Sequence, residues 1–209
     1  LSDKPAAPTT DNLQPTTAKG RATRQAILDA AEEVFGELSY DRASISEITR
    51  RAGVAQGTFY LYFPDKQAAF VELVQQLNHD LRTVIRKAIV GVDDRIEMER
   101  TGLQTFFEYV IHHKSLYRIV RESQFVAPEA YRWHYMTLAK GYVAGLEAAQ
   151  ERGQITREIS AENLAWVLMG ISEFAGGRWV LWEKQPPPPE VFDDIMRFIE
   201  RAMRPEDTA

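Results

Sequence analysis

From residue 21 onward, apolar residues return every three or four positions, the period of a helix with one buried face rather than the two-residue alternation of a strand. Ile27, Ala31, Val34, Phe35 and Leu38 form the first such stripe and predict a helix over 22–38. Ser44-Ile45-Ser46-Glu47 then has the form of a capping box, in which the serine hydroxyl accepts from the third amide and the carboxylate reaches back. It opens a short helix over 45–52 with Ile45, Ile48 and Ala52 inward, and Gly53 suits the left-handed backbone angle that stops it. A third helix starts near Ala55 or Gln56 and is interrupted by Pro64. Asp65 is placed to cap a fourth, whose apolar positions run from Phe70 through Leu73, Val74, Leu77 and Leu81 to Ile85 and Ile89.

The remaining periodic stretches predict helices over 94–113, around 115–123, and over 128–152, 160–183 and 189–203. The proline run 186–189 between the last two reads as a stiff connector. Sustained alternation and Asn-Gly or Asp-Gly hairpin signals are missing, so the expected fold class is all-α. Residues 1–18 are rich in Pro, Thr and Ala with almost no large apolar residue, and read as a disordered arm. The expected domains are this arm, a three-helix unit over 19–66 and a larger helical unit over 67–209.

Two short helices around Gly53, behind a longer one, have the dimensions of a helix-turn-helix. The second of them, Gln56-Gly57-Thr58-Phe59-Tyr60-Leu61-Tyr62, lacks the Leu and Ala filling of a bundle helix. Phe59 and Phe63, four apart, face the core; Tyr60 and Tyr62 lie off that face, and Gln56, Gly57 and Thr58 occupy the exposed end. A glutamine there suits adenine N6 and N7, a threonine suits a thymine methyl or a phosphate, and a glycine lets backbone approach closely. The two phenol hydroxyls suit phosphate oxygens.

The segment from Arg24 to Phe70, above all ISEITRRAGVAQGTFYLYFPDKQAAF, resembles the DNA-binding domain of the TetR family of bacterial transcriptional regulators. The resemblance implies DNA contacts by Gln56, Thr58, Tyr60 and Tyr62, beside the close approach that Gly57 allows, a phosphate contact by Lys66, and backbone contacts by Ser46 and Arg50. It also implies a homodimer on a palindromic operator, and repression relieved by a hydrophobic small molecule. Two departures stand out: Ala55 replaces the serine common in the family, and Leu61-Tyr62 replaces the more frequent Arg and His.

Charge fits this reading locally rather than globally. The net charge is −5, yet Lys19, Arg21 and Arg24 cluster at the first helix, and Arg42, Arg50, Arg51 and Lys66 punctuate the motif as candidate phosphate contacts. The chain has no cysteine, which excludes disulfides and thiol chemistry. It has no uninterrupted apolar run of about 18 residues and no secretory signal pattern, so no membrane partner and a cytoplasmic location are expected. His112 and His113 are adjacent and point about 100° apart on a helix, which does not make a metal site. No nucleophile elbow, phosphate loop or catalytic constellation is present, so neither catalytic activity nor a cofactor is expected.

The larger half carries all four tryptophans and many of the other aromatics. Phe106, Tyr109, Val110, Tyr117, Phe125, Trp133, Met169 and Phe174 are the candidate walls of an apolar pocket. The family resemblance extends to members that control fatty-acid metabolism and sense acyl-CoA thioesters; Arg118, Arg121 and Arg178 are then candidate partners for the phosphates. A cationic drug would instead use Glu108, Glu122 or Glu173, and a DNA-binding architectural protein would need no effector at all. Gly170, Gly176 and Gly177 within 160–183 predict a close helix approach or a bend. With the helix over 189–203 that segment resembles the dimer contribution of TetR-like proteins, with Gly170, Gly177, Leu181, Phe192, Ile195 and Ile199 as candidates.

Overall fold

The computed structural model describes residues 15–205, and the element order follows the periodicity closely. α1 spans Ala18–Arg42, α2 Ile45–Ala52, α3 Gln56–Tyr60, α4 Lys66–Ala88, α5 Arg95–His112, α6 Ser115–Val126, α7 Pro128–Glu151, α8 Ala161–Gly176 and α9 Pro189–Met203. The described residues contain no strand, as an all-α chain requires. Most of the expected arm, residues 1–14, lies outside the described residues, while Thr17 caps α1 by accepting from the Gly20 amide at 3.0 Å.

Three local outcomes differ from the sequence reading. α1 starts four residues earlier than predicted and continues past Leu38 only across a break at Ser39, whose φ of 69° and ψ of 160° lie in a region costing a non-glycine residue about 1–3 kcal/mol. The segment over 160–183 is α-helical to Gly176 and then widens into a π-helix over Gly177–Trp182, with Glu183 N donating to Arg178 O five residues back at 3.1 Å. The expected bend is thus a change of hydrogen-bond register at the paired glycines. The capping box of α2 forms its first half, Ser44 Oγ accepting from Glu47 N at 3.1 Å. Both Glu47 oxygens, however, accept from the Arg50 and Arg51 guanidiniums, at 2.7 to 2.9 Å.

The chain divides into two units. One comprises the described residues through His79 together with Lys114–Tyr135. Its core gathers Ile27, Leu28 and Phe35 of α1, Ile48 of α2, Phe59 and Phe63 around α3, and Phe70 and Leu73 of α4, all fully buried. Phe35 meets Phe70 edge-on at 5.1 Å, and Tyr40 stacks on Phe35 at 5.7 Å. Asn78 and His134 are a buried polar pair: the Asn78 amide donates to His134 O at 3.1 Å and faces Nδ1 at 3.2 Å.

The other unit comprises Asp80–His113 together with the described residues from Met136 onward. Met196, Ile199 and Met203 of α9 point inward, and Thr156 N donates to Met203 O at 3.0 Å, closing the end of that helix. Phe107 of α5 meets Phe192 of α9 edge-on at 6.4 Å. Arg95 and Glu99 form a buried ion pair in α5, to which Tyr142 of α7 adds a hydrogen bond. Burial and then the Glu99 charge hold the Tyr142 hydroxyl protonated well above its ordinary range.

Candidate nucleic-acid interface

The helix after Gly53 is short and supported from behind. Gly53, at φ 67° and ψ 30°, terminates α2 and donates to its last carbonyls, and the turn through Val54 delivers the chain into α3. α3 has five residues and no side-chain cap, because Ala55 at its N-cap offers no acceptor. Its stability comes from Phe59 and Phe63, both fully buried with ring centroids 5.4 Å apart. Gln56 and Gly57 are exposed, Thr58 is half-buried, and Tyr60 is 50% exposed with its ring edge-on to Phe59 at 5.6 Å. Tyr62 is half-buried, and its hydroxyl lies beside the first turn of α1, 3.6 Å from where a Cβ on Gly20 would be. Ser46 and Arg50 are exposed on α2.

Most of the basic residues expected at this surface already have internal partners. Arg50 and Arg51 both hold Glu47, and Arg51 also reaches Glu37 at 2.6 Å and Glu33 at 3.6 Å, tying α2 to α1. The two guanidiniums depress the Glu47 carboxyl to about 2. Lys66 Nζ donates to Tyr40 O at 2.7 Å and Ala43 O at 2.9 Å and lies 4.1 Å over the Tyr40 ring, so two of its three protons close the end of α1. Arg42 Nε donates to Leu38 O and Arg21 Nη1 to Thr16 O.

Arg24 is a correction to the basic cluster read from the sequence. Its guanidinium pairs with Glu72 at 2.7 Å, and it lies 5.0 Å over the Phe63 ring, with its side chain only 11% exposed. It braces the anchor of α3 instead of facing outward. The signal was available, since Arg24 precedes Ile27 and Leu28 by three and four residues and therefore shares their buried face.

The candidate ligand residues fall in both units. Phe106, Tyr109 and Val110 lie on α5, with Tyr109 and Val110 buried and Tyr109 stacked on His113 at 4.3 Å. Met169 is half-buried on α8, while Phe174 is 77% exposed and Arg178 lies 4.7 Å over Trp179. In the first unit Tyr117 is buried, Trp133 half-buried, and Phe125 and Arg121 exposed. Arg118 donates to the Gly36 and Glu37 carbonyls of α1. Among the candidate dimer residues, Gly177 and Ile199 are buried, whereas Gly170, Leu181, Phe192 and Ile195 are half-buried. Sequence reasoning missed the exposed apolar face of α8 itself: Trp166, Val167 and Phe174 surround Gly170 at helical spacing, and Trp182 after it and Phe198 of α9 are also exposed. No helix of the described residues is long and apolar enough to cross a membrane, and none of their His, Asp and Glu side chains group in threes suited to a metal ion.

The model of the family described as "Bacterial regulatory proteins, tetR family" matches residues 27–73, from the first buried residue of α1 into α4. The HTH-type transcriptional regulator YdgC of Bacillus subtilis is 30% identical over 160 residues, covering 75% of this chain and 80% of that protein. The HTH-type transcriptional regulator EthR of Mycobacterium tuberculosis is 30% identical over 188 residues, covering 83% of each. Among solved structures, the transcriptional regulator FadR from Bacillus subtilis in complex with stearoyl-CoA superposes with a TM-score of 0.76 at 19% identity, covering 85% of this chain and 98% of that one. The helix-turn-helix, its buried anchors and the similarity to relatives over three quarters or more of the chain converge: the chain belongs to the TetR family of bacterial transcriptional regulators.

Proposed function

We propose that the protein is a homodimeric repressor of the cytoplasm that leaves a palindromic operator when an acyl thioester binds its larger helical part. The observation that carries the DNA half of this reading is α3, whose Gln56, Gly57 and Tyr60 are exposed while Phe59 and Phe63 hold it from behind. Gln56 reads an adenine edge and Thr58 a neighbouring methyl or phosphate, with Tyr60, Tyr62, Ser46 and Arg50 on the phosphates. Residues 19–66 read DNA, and 67–209 bind ligand and dimerise.

The exposed face of α8 around Gly170 supports the dimer. A Cβ on Gly170 would meet nothing within 4 Å, so the glycine leaves a flat spot between Trp166, Val167 and Phe174 where a second copy packs. Phe174, expected in the pocket wall, belongs to this face. The FadR structure bound to stearoyl-CoA supports the acyl thioester, and the exposed Arg178 is a partner for its phosphates. A preference of a few kcal/mol for the DNA-incompetent state is enough for release.

Selection from random duplexes, with and without long-chain acyl-CoA, tests both halves. An enriched palindrome whose binding is lost with acyl-CoA is the expected result. No enriched palindrome ends the repressor reading, and release by cationic aromatic compounds alone ends the acyl one.

A further inference from the structure

The break in α1 at Ser39 is held by one face of α6. Tyr40 N, the first amide after the break, donates to Glu122 Oε2 at 2.9 Å. One turn earlier on α6, Arg118 Nη1 donates to the Gly36 and Glu37 carbonyls, which the interruption leaves without a continuing helical ladder. Ser115 Oγ bonds Glu32, and a Cβ on Gly36 would lie 2.7 Å from the Ser115 Cβ, so α6 packs against the backbone of α1 itself. Positions 115, 118 and 122 share one helical face. From the other side Lys66 takes the Tyr40 and Ala43 carbonyls, and Ser44 begins α2 directly afterwards. Serine does not remain at φ 69° unaided; contacts on both sides over-determine it.

We infer that Glu122 and Arg118 are positioning residues of the reading head, holding the Ser39 break from α6 and so fixing the direction in which α2 and α3 leave α1. Glu122 thereby acts through a main-chain amide, a role distinct from the drug carboxylate that its place in the sequence suggests. Only the DNA readout below rests on the proposed function; the geometric inference does not.

The experiment compares the intact wild-type chain with Glu122→Ala, Ser39→Gly and their combination by amide hydrogen exchange. Glu122→Ala should speed exchange across residues 40–49 about tenfold while α9 keeps its wild-type rates. Ser39→Gly should restore much of that protection, because glycine occupies positive φ without strain and needs no clamp. Unchanged exchange in Glu122→Ala, or no restoration by Ser39→Gly, overturns the inference. Should Glu122→Ala not fold, Arg118→Ala tests the same joint from its carbonyl side with the same two criteria. On a duplex enriched by wild type, the alanine variant should bind about tenfold more weakly and regain affinity with Ser39→Gly. A wild type that enriches no duplex defeats the regulator reading, and the exchange data then judge the clamp by themselves.

Discussion

Gln56 and Tyr60 share five residues of helix, yet their loss should read differently. On the proposed reading, replacing Gln56 by Ala should cost about 1–3 kcal/mol on the preferred duplex and relax preference at one base position. Tyr60→Phe removes a hydroxyl from an exposed ring and should weaken all duplexes alike. Titration against every single-base variant of the enriched site separates the two, and a one-position effect for Tyr60→Phe would overturn its phosphate role. The basic residues divide in the same way. Lys19→Ala, at an exposed lysine, should lower the slope of log affinity against log salt by about 1. Arg24→Ala should leave that slope unchanged and lower the unfolding midpoint, because it strands Glu72 and uncovers Phe63. The residue types were legible from the sequence, but their engagement was not: Arg51 meets Glu33 and Glu37 only because α2 folds back against α1.

At the scale of elements, α3 is the shortest of the described α-helices, and its missing cap has an evident remedy. Ala55 already has the extended N-cap conformation, φ −69° and ψ 149°, without a side-chain acceptor. Ala55→Ser should stabilise the head by about 0.5–2 kcal/mol, seen as slower amide exchange at Thr58 and Phe59; unchanged exchange would mean the cap does not form. Existence and type of the elements were legible because apolar period, Gly53 and Pro64 agree with one another. The break at Ser39 was not. A serine carries no sequence signal for positive φ, and it is contacts from α6, over eighty residues away by the 82-residue separation of Tyr40 and Glu122, that hold it there. The π-helical turn was visible only as a close approach or bend expected from Gly170, Gly176 and Gly177.

At the scale of the whole molecule, burial makes His134 an acid-sensitive point. It holds the imidazole at about 4, below its ordinary 6.5, and Nδ1 faces the Asn78 amide, which disfavours a proton there. The unfolded chain therefore takes up this proton first. The stabilisation is complete above pH 6.5 and is lost as pH falls towards 4, at up to about 1.4 kcal/mol per pH unit. Melting midpoints of the wild type should fall from pH 7 to 5 more steeply than those of His134→Gln; parallel curves would exclude His134 as the cause. Glu47 acts in a separate window, its contribution present above the ordinary 4.5 and lost towards 2. Assembly is tested by Phe174→Glu, which places a charge on the exposed apolar face and should yield a monomer by sedimentation at micromolar concentration, with operator affinity falling at least tenfold. A persisting dimer would remove that face from the interface.

By itself, the sequence determined the helical class, the order of its elements and the place of the helix-turn-helix. Those depend on short-range quantities: apolar spacing, caps, and residues that permit or forbid particular backbone angles. Only the tertiary structure decided which cations are held internally, where α1 breaks and which face of α8 is exposed. Each of these is set by partners distant along the chain, brought together by burial of the core that the local pattern merely makes possible.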